Sequence, residues 1–83
     1  MIIFTRHAEE KFALLQKHKI RITREQVISI VKQPKRLDLS RFPLFIAQGP
    51  LDQNRVIRVV YKRENDTTKI ITFYPGRKKQ YEI

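Results

Sequence analysis

The side chains of this sequence that can take part in chemistry are mostly basic, aromatic or hydroxylated. The chain contains no cysteine, two histidines and only two glycines, and its eight acidic residues are dispersed. A thiol nucleophile and a glycine-rich phosphate loop are therefore excluded, and neither a zinc site nor a pair of catalytic carboxylates is expected. We expect no metal and no cofactor, so the chemistry has to come from arginine, lysine, tyrosine, threonine and histidine.

These residue types suit the cleavage of RNA by its own 2′-hydroxyl without a metal ion. The nucleophile belongs to the substrate, so the protein has to align the reacting atoms, stabilise charge on the phosphate and transfer protons. Arg58 and Arg77 are candidates for holding the phosphate, because a guanidinium offers paired donors to phosphate oxygens. His7, Tyr74 and Tyr81 are candidates for proton transfer or for stacking on a base.

A second group of polar residues is expected to bind RNA phosphates without taking part in the reaction: Lys62, Thr72, Lys78 and Lys79. Each candidate also has a structural interpretation. Residues 77–79 can form a solvated tail, and His7 can be an ordinary surface residue of a helix. Tyr74 can simply be a half-buried strand residue.

The net charge is the most informative property of the composition. Eighteen lysines and arginines against eight acids give +10 and an isoelectric point near 10.4. A field this strong on a small protein indicates a polyanionic partner. Nucleic acid is the first candidate, with RNA as the form that we expect, and an acidic protein or an anionic membrane surface comes next. Solubility alone is the alternative, although a net charge of about 2–8 is enough for that purpose in a small domain.

The length predicts a single domain over residues 1–83. A chain of this size buries only about 60–65% of its unfolded surface, so its core is small. No apolar run approaches the roughly 20 residues of a membrane-spanning helix, and the first residues do not resemble a signal peptide. We expect a cytoplasmic protein that does not interact with membranes.

Two amphipathic helices are predicted in the first half of the chain. Thr5 can cap the first helix, which runs over residues 7–17 with three apolar residues on one face: Ala8, Phe12 and Leu15. Thr23 and Gln26 form a capping box at the start of the second helix. Its buried face consists of Val27, Ile28, Val31 and, as a further candidate, Ile30. Pro34 ends this helix.

The second half of the chain changes to the period-two pattern of strands. Strands are predicted at residues 37–39, 43–48, 54–62 and 69–74, and residues 2–4 are a further short candidate. Short connections favour antiparallel neighbours. The predicted fold is therefore α+β, with two N-terminal helices packed on one face of a curved antiparallel sheet of three or four strands.

The other face of the sheet is where we expect the candidate residues to gather. If Ile57 faces the helices, Arg58 faces away from them. Thr72 and Tyr74 then lie beside Arg58 if Phe73, together with Ile71, also faces the helices. This arrangement requires an odd number of residues in the turn near residues 64–66, whereas an even number would place Arg58 and Thr72 on opposite faces.

Four segments carry a resemblance to a known family: FTRHAEEKF, IRITREQVISIVKQP, VIRVVYK and KIITFYPGRKK. Together they resemble a widespread family of small bacterial domains of unknown function. That family looks like a distant branch of the RelE/ParE toxin superfamily and resembles BrnT toxins. The resemblance implies a RelE-like fold with two helices on a curved antiparallel sheet. It also implies mRNA cleavage, on or off the ribosome, and neutralisation by an acidic antitoxin protein.

The resemblance also assigns roles to individual positions. In RelE-like toxins, basic and tyrosine residues on the exposed sheet face and in the C-terminal segment carry out the reaction. Four residues occupy comparable places in this sequence: Arg58, Arg77, Lys78 and Tyr81. The motif itself matches most clearly at His7 and over residues 72–74.

Three functions are consistent with these observations. The first is an endoribonuclease toxin of a toxin–antitoxin pair. The second is a basic nucleic-acid-binding module without catalysis, in which aromatic residues between the cations of the C-terminal segment stack on single-stranded bases. The third is a ParE-like inhibitor that docks on a large partner such as a topoisomerase and leaves RNA intact.

Overall fold

The structure is a computed structural model and describes residues 1–81. Its three helices and five strands follow one another in the order β1 (Ile2–Phe4), α1 (Arg6–Lys17), α2 (Arg24–Lys32), β2 (Arg36–Asp38), β3 (Phe45–Pro50), β4 (Arg55–Glu64), β5 (Thr67–Arg77) and α3 (Lys78–Tyr81). No helix within this range has the length and apolar character needed to cross a membrane.

One curved, open sheet contains all five strands in the order β1-β5-β4-β3-β2. Strands β2 to β5 are antiparallel neighbours, whereas β1 lies parallel to β5. The predicted α+β fold with two N-terminal helices on one face is confirmed. The sheet is larger than the expected three or four strands and is mixed, because residues 2–4 add to its edge through a pairing more than sixty residues away in sequence.

Local capping interactions explain where α1 and α2 begin. The Thr5 side chain accepts a hydrogen bond from the backbone N–H of Ala8 at 3.1 Å. At the second helix the predicted capping box is present: Thr23 Oγ1 accepts from the N–H of Gln26, and Gln26 Oε1 accepts from the N–H of Thr23. Both bonds satisfy backbone donors that the first turn of a helix leaves free. The second helix ends at Lys32, two residues before Pro34.

The helices bury their apolar faces against one side of the sheet. Ala8 and Leu15 of α1 and Val27 and Ile30 of α2 are buried in the same cluster. Ile28, which was expected on the buried face, is only half-buried. The strands contribute alternate residues to this cluster: Ala47, Ile57, Val59, Tyr61, Ile70 and Phe73. We call this side the helix face and the opposite side the outer face.

The connection between β4 and β5 differs from the predicted odd-length turn. Glu64 pairs with Thr67, so the turn holds two residues, and Asn65 takes a φ of 57°, a value that asparagine tolerates better than most residues. The pairing then shifts by one residue, because Val60 pairs with Thr72 while Tyr61 pairs with Ile70. Ile71 is the extra residue of a β-bulge.

This bulge has the same effect on the register that an odd turn would have. Arg58 pairs with Tyr74 and Val60 with Thr72, so the expected neighbours share the outer face although the reason proposed for it was wrong. The expectation that Ile71 faces the helices is also wrong. Ile70 takes that place and is completely buried, because the bulge removes Ile71 from the alternation.

Candidate functional site

A row of polar side chains crosses the outer face of the sheet at one level. The register aligns one residue from each of four neighbouring strands: Arg36, Gln48, Arg58 and Tyr74. Directly paired residues on one face of a sheet lie about 5 Å apart at Cβ, close enough for their side chains to interact. Apolar residues flank the row on β3 and β4, where Ile46 and Val56 are buried. Interactions in this row are therefore partly shielded from water.

Arg58 is the centre of this row and is only 5% exposed. Each of its three nitrogens donates a hydrogen bond: Nε to the hydroxyl of Tyr74 at 3.1 Å, Nη1 to Oε1 of Gln48 at 2.6 Å and Nη2 to Oδ2 of Asp38 at 2.8 Å. A buried cation needs such partners, because an unpaired charge away from water is strongly destabilising. Arg58 is thus an integral part of the folded structure.

Asp38 supplies the negative charge that balances Arg58. It accepts hydrogen bonds from the backbone N–H and the hydroxyl of Ser40 and from Arg58, and together these hold the pKa of Asp38 well below its ordinary value. Burial alone would lower the pKa of Arg58, but its hydrogen bonds with Tyr74 and Asp38 raise it overall. Both side chains are charged at neutral pH.

The C-terminal helix α3 covers this buried pair. The ring of Tyr81 lies over the Arg58 guanidinium, with 4.2 Å between the ring centroid and Cζ, a distance typical of a cation–π contact. The carbonyl oxygen of Tyr81 accepts from Arg36 Nη1 at 2.7 Å and makes a long 3.5 Å contact with Nε2 of Gln48. Gly76 lies under the same ring and leaves room for it, because a Cβ at this position would collide with Tyr81.

Tyr74 has a donor that no residue of the row uses. Its oxygen accepts from Arg58, so its own proton is free for another acceptor, and no protein acceptor for it is found among residues 1–81. The residue is half-buried. The arrangement fixes the phenol oxygen beside a cation and leaves its O–H available to a ligand.

Two of the predicted phosphate-binding residues, Thr72 and Lys62, do not belong to the polar row. The hydroxyl oxygen of Thr72 lies on the outer face but is buried, and it has no hydrogen-bond partner in the described part of the chain. Lys62 lies farther along β4 and approaches Glu64 at 3.8 Å. A ligand on the polar row would therefore meet neither residue directly.

The remaining predicted cations line a cavity at the end of the sheet, and Lys78 also lines a pocket next to Gln48 of the polar row. This cavity has a volume of about 450 Å³ and is lined by six residues: Gln53, Asn54, Arg55, Arg77, Lys78 and Lys79. Arg77 pairs with Arg55, three positions along β4 from Arg58, so strand alternation directs Arg77 and Arg58 to opposite faces. The expectation of one groove shared by Arg58 and Arg77 is therefore wrong.

His7 is also distant from the polar row. It lies exposed in the first turn of α1, beside a pocket that it shares with Lys11 and Leu14. Because α1 packs on the helix face, the sheet separates His7 from Tyr74 and Arg58. The structure brings Arg58, Tyr74 and Tyr81 together and leaves His7 and Arg77 outside this group.

The sequence analysis missed three residues of this site: Arg36 and Gln48 of the row, and Asp38, which pairs with Arg58. Asp38 and Gln48 are polar positions within otherwise apolar strands, in the segments Leu-Asp-Leu and Ile-Ala-Gln. A polar residue that interrupts a strand in this way often has a buried partner, and that signal was present. Among the described residues, no group of three or more histidine, aspartate or glutamate side chains could hold a metal ion.

Comparison with known proteins gives one match. The model of a family described as "Domain of unknown function (DUF4258)" matches residues 4–75. This segment includes α1 and α2, the polar row and all but the last two residues of β5.

The chain belongs to the DUF4258 family. No curated protein and no solved structure matches the chain. The description of the family names no activity, so membership in the family assigns no activity to this chain. The matched segment ends before α3 and before three of the cavity cations, Arg77 to Lys79. The covering helix and most of the cavity's charge thus lie outside the segment that the family model matches.

Proposed function

We propose that this DUF4258 protein is an mRNA endoribonuclease and the toxin of a toxin–antitoxin pair, distantly related to RelE/ParE and BrnT toxins. It acts in the cytoplasm without a metal ion, and an acidic antitoxin neutralises it. The observation that carries the proposal is the hydrogen bond from Arg58 to Tyr74, which orients a phenol with an unused proton beside a fixed positive charge.

In this proposal Tyr74 is the residue that touches the scissile phosphate. As the 2′-oxygen of RNA attacks phosphorus, negative charge grows on the phosphate oxygens and on the leaving 5′-oxygen. The Tyr74 O–H donates to one of these oxygens and can supply the proton that the leaving group needs. The proton of the 2′-hydroxyl passes to water, the bond between phosphorus and the 5′-oxygen breaks, and a proton from water then restores the Tyr74 hydroxyl. The products are a 2′,3′-cyclic phosphate and a free 5′-hydroxyl.

Arg58 has a different role from the direct phosphate clamp that its residue type suggested. Its three nitrogens already donate to Tyr74, Gln48 and Asp38. Arg58 therefore positions Tyr74 and contributes a positive field, and its burial under Tyr81 keeps it from direct contact with a phosphate. Tyr81 lies over Arg58 and offers its ring as a stacking surface for a base next to the scissile bond.

RNA as the substrate is supported by the overall charge of +10. Exposed cations at the end of the sheet, including Arg77 and Lys79, are suited to backbone phosphates because such contacts release counterions. A protein partner of opposite charge would bind the same surface, which is consistent with an acidic antitoxin.

A second candidate function is RNA binding without cleavage. It is favoured by the hydrogen bonds that all three nitrogens of Arg58 make and by the ring of Tyr81 that covers it. These contacts are also those that a buried cation needs for purely structural reasons. In this case the cations hold RNA and Tyr74 is a stacking or hydrogen-bonding residue.

The experiment that separates the two is primer extension on abundant mRNAs after the protein is induced in bacterial cells. Tyr74→Phe removes only the hydroxyl. Tyr61→Phe is the matched control, since Tyr61 is buried on the helix face and stacks on Phe45. New cleavage ends with the parent and with Tyr61→Phe, but not with Tyr74→Phe, are expected. Intact transcripts contradict cleavage, and arrested growth with intact transcripts indicates an inhibitor that docks on a large partner.

A further inference from the structure

The cavity at the end of the sheet combines charged and amide side chains on a rigid frame. Its lining includes Arg55, Arg77 and Lys79 as cations and Gln53 and Asn54 as amides, and its volume is about 450 Å³. Pockets for small ligands usually measure about 300–1,000 Å³, so the cavity is large enough for one nucleotide.

The positive charge in this cavity is balanced only in part. Asp52 is the acid next to the lining, and Arg55 already engages it through Nε at 2.9 Å and Nη2 at 2.8 Å. Arg77 and Lys79 are exposed, and no ion pair of either is found within residues 1–81. Two cations thus remain for an anionic ligand, while Arg55 is held in place by its partner.

The loop that forms one wall is fixed by its own hydrogen bonds. Asp52 Oδ1 accepts from the backbone N–H groups of Asn54 at 2.9 Å and Arg55 at 2.8 Å. The carbonyl oxygen of Asn54 accepts from the N–H of Lys78 at 2.8 Å, which joins this loop to the start of α3. The cavity is therefore formed before any ligand binds, which lowers the entropic cost of binding.

We propose that this cavity binds one nucleotide of single-stranded RNA and anchors the strand away from Tyr74. Arg77 and Lys79 bind its phosphate, and the amides of Gln53 and Asn54, each with donor and acceptor atoms, bind the base or the ribose. The choice of RNA rests on the proposed function. The cavity adds to that function a second binding subsite, which shares no residue with the polar row and which includes Gln53, Asn54 and Arg55.

A single strand fits this site better than a duplex. The amides can reach a base only when its hydrogen-bonding edges are not paired, and RNA is generally read in this way in single-stranded segments. A nucleotide held here also fixes the direction in which the strand leaves toward the rest of the protein, so the cavity would influence which phosphate reaches Tyr74.

The test is fluorescence anisotropy with a labelled 2′-O-methyl RNA of about ten nucleotides, a length within the usual range of single-strand sites. The methyl groups block attack by the 2′-oxygen, so binding is measured whether or not the protein cleaves RNA. The double variant Arg77→Ala/Lys79→Ala is compared with Arg63→Ala/Lys17→Ala, which removes the same charge from exposed positions outside the cavity.

The cavity variant should bind at least about tenfold more weakly. The slope of its salt dependence should fall by about 0.7 for each phosphate of the single strand that the variant no longer neutralises. The control variant should change much less. Gln53→Ala should weaken binding while leaving the salt dependence unchanged, because an amide releases no counterion. A pre-annealed duplex of the same RNA should bind more weakly than the single strand.

Equal losses of affinity in the two double variants, or no effect of Gln53→Ala, would overturn the proposal and leave only general attraction to a cationic surface. This outcome is independent of cleavage. If the cavity variant loses affinity while the parent protein cleaves no natural RNA, the anchor site stands and the endoribonuclease proposal fails.

Discussion

The ring of Tyr81 lies over the guanidinium of Arg58, 4.2 Å from its Cζ atom, and closes the outer face of the sheet above a buried ion pair. The contact joins a short C-terminal helix to the middle of the longest antiparallel pairing. It explains why a cation in the centre of a strand is stable there, since Arg58 has protein partners in the plane of its guanidinium and an aromatic ring above it.

The packing of Gly76 against Tyr81 predicts that a small substitution will uncover Arg58. In Gly76→Ala the new methyl group would collide with the ring, where even Cδ2 lies 2.8 Å from the Cβ position. The ring can move, because α3 has only four residues. We expect Arg58 to react faster with phenylglyoxal, measured by peptide mass mapping, and the free energy of unfolding to fall by about 1 kcal/mol or less.

Two further substitutions control this experiment. Tyr81→Ala should raise the labelling of Arg58 as Gly76→Ala does. Tyr81→Phe retains the ring and should behave as the parent. If Arg58 in Gly76→Ala reacts as slowly as in the parent protein, the conclusion that the ring of Tyr81 shields Arg58 is contradicted.

The pairing of Arg58 predicts a large loss of stability when its donors are removed. Arg58→Met preserves much of the buried stem but leaves Asp38, Gln48 and Tyr74 without their partner. We expect the free energy of unfolding to fall by roughly 2–4 kcal/mol, measured by urea denaturation with an unchanged slope.

The matched control is Arg63→Met on the same strand, where the side chain is exposed. Its effect should stay within about 0.5 kcal/mol. If the two variants are equally stable, Arg58 is not the structural centre that its contacts indicate.

The depressed pKa of Asp38 predicts how stability depends on pH. A carboxyl group whose pKa is lower in the folded chain contributes stability above its ordinary value, about 4, and this contribution is lost as the pH falls through and below that value. Asp38→Asn cannot carry this charge. The difference in unfolding free energy between the parent and Asp38→Asn should be largest near pH 7 and shrink toward about pH 3.

Urea denaturation of both proteins at several pH values measures this difference. A difference that stays constant over the whole range would mean that the Asp38 charge does not stabilise the fold, and that the cost of the substitution comes only from altered hydrogen bonding.

The features that the sequence predicted correctly are those determined by near neighbours. The caps at Thr5 and Thr23 each involve a backbone group three residues away, and the periodicity of α1 and α2 is contained within each helix. The change to strands after Pro34 is likewise visible in the local pattern. These elements were sufficient to predict an α+β fold with both helices on one face.

The predictions that were wrong or missing concern features that depend on pairing between residues far apart in the sequence. Nothing near residues 2–4 indicates that they pair with residues 68–70. The bulge at Ile71 reverses the effect of the turn length on every later residue of β5, so the neighbours of Arg58 were predicted correctly for the wrong reason. The role of Asp38 depends on β2 lying two strands from β4, and the separation of Arg77 from Arg58 depends on the exact register.

The most direct test of the account is the cleavage of single-stranded RNA by purified protein, with and without ribosomes, comparing the parent with Tyr74→Phe and Tyr61→Phe. We predict fragments that end in a 2′,3′-cyclic phosphate, a rate reduced by about 10²–10⁴ in Tyr74→Phe and a nearly unchanged rate in Tyr61→Phe. RNA that stays intact under both conditions, or cleavage by Tyr74→Phe at the rate of the parent, would contradict the assignment of Tyr74 as the catalytic residue of an endoribonuclease.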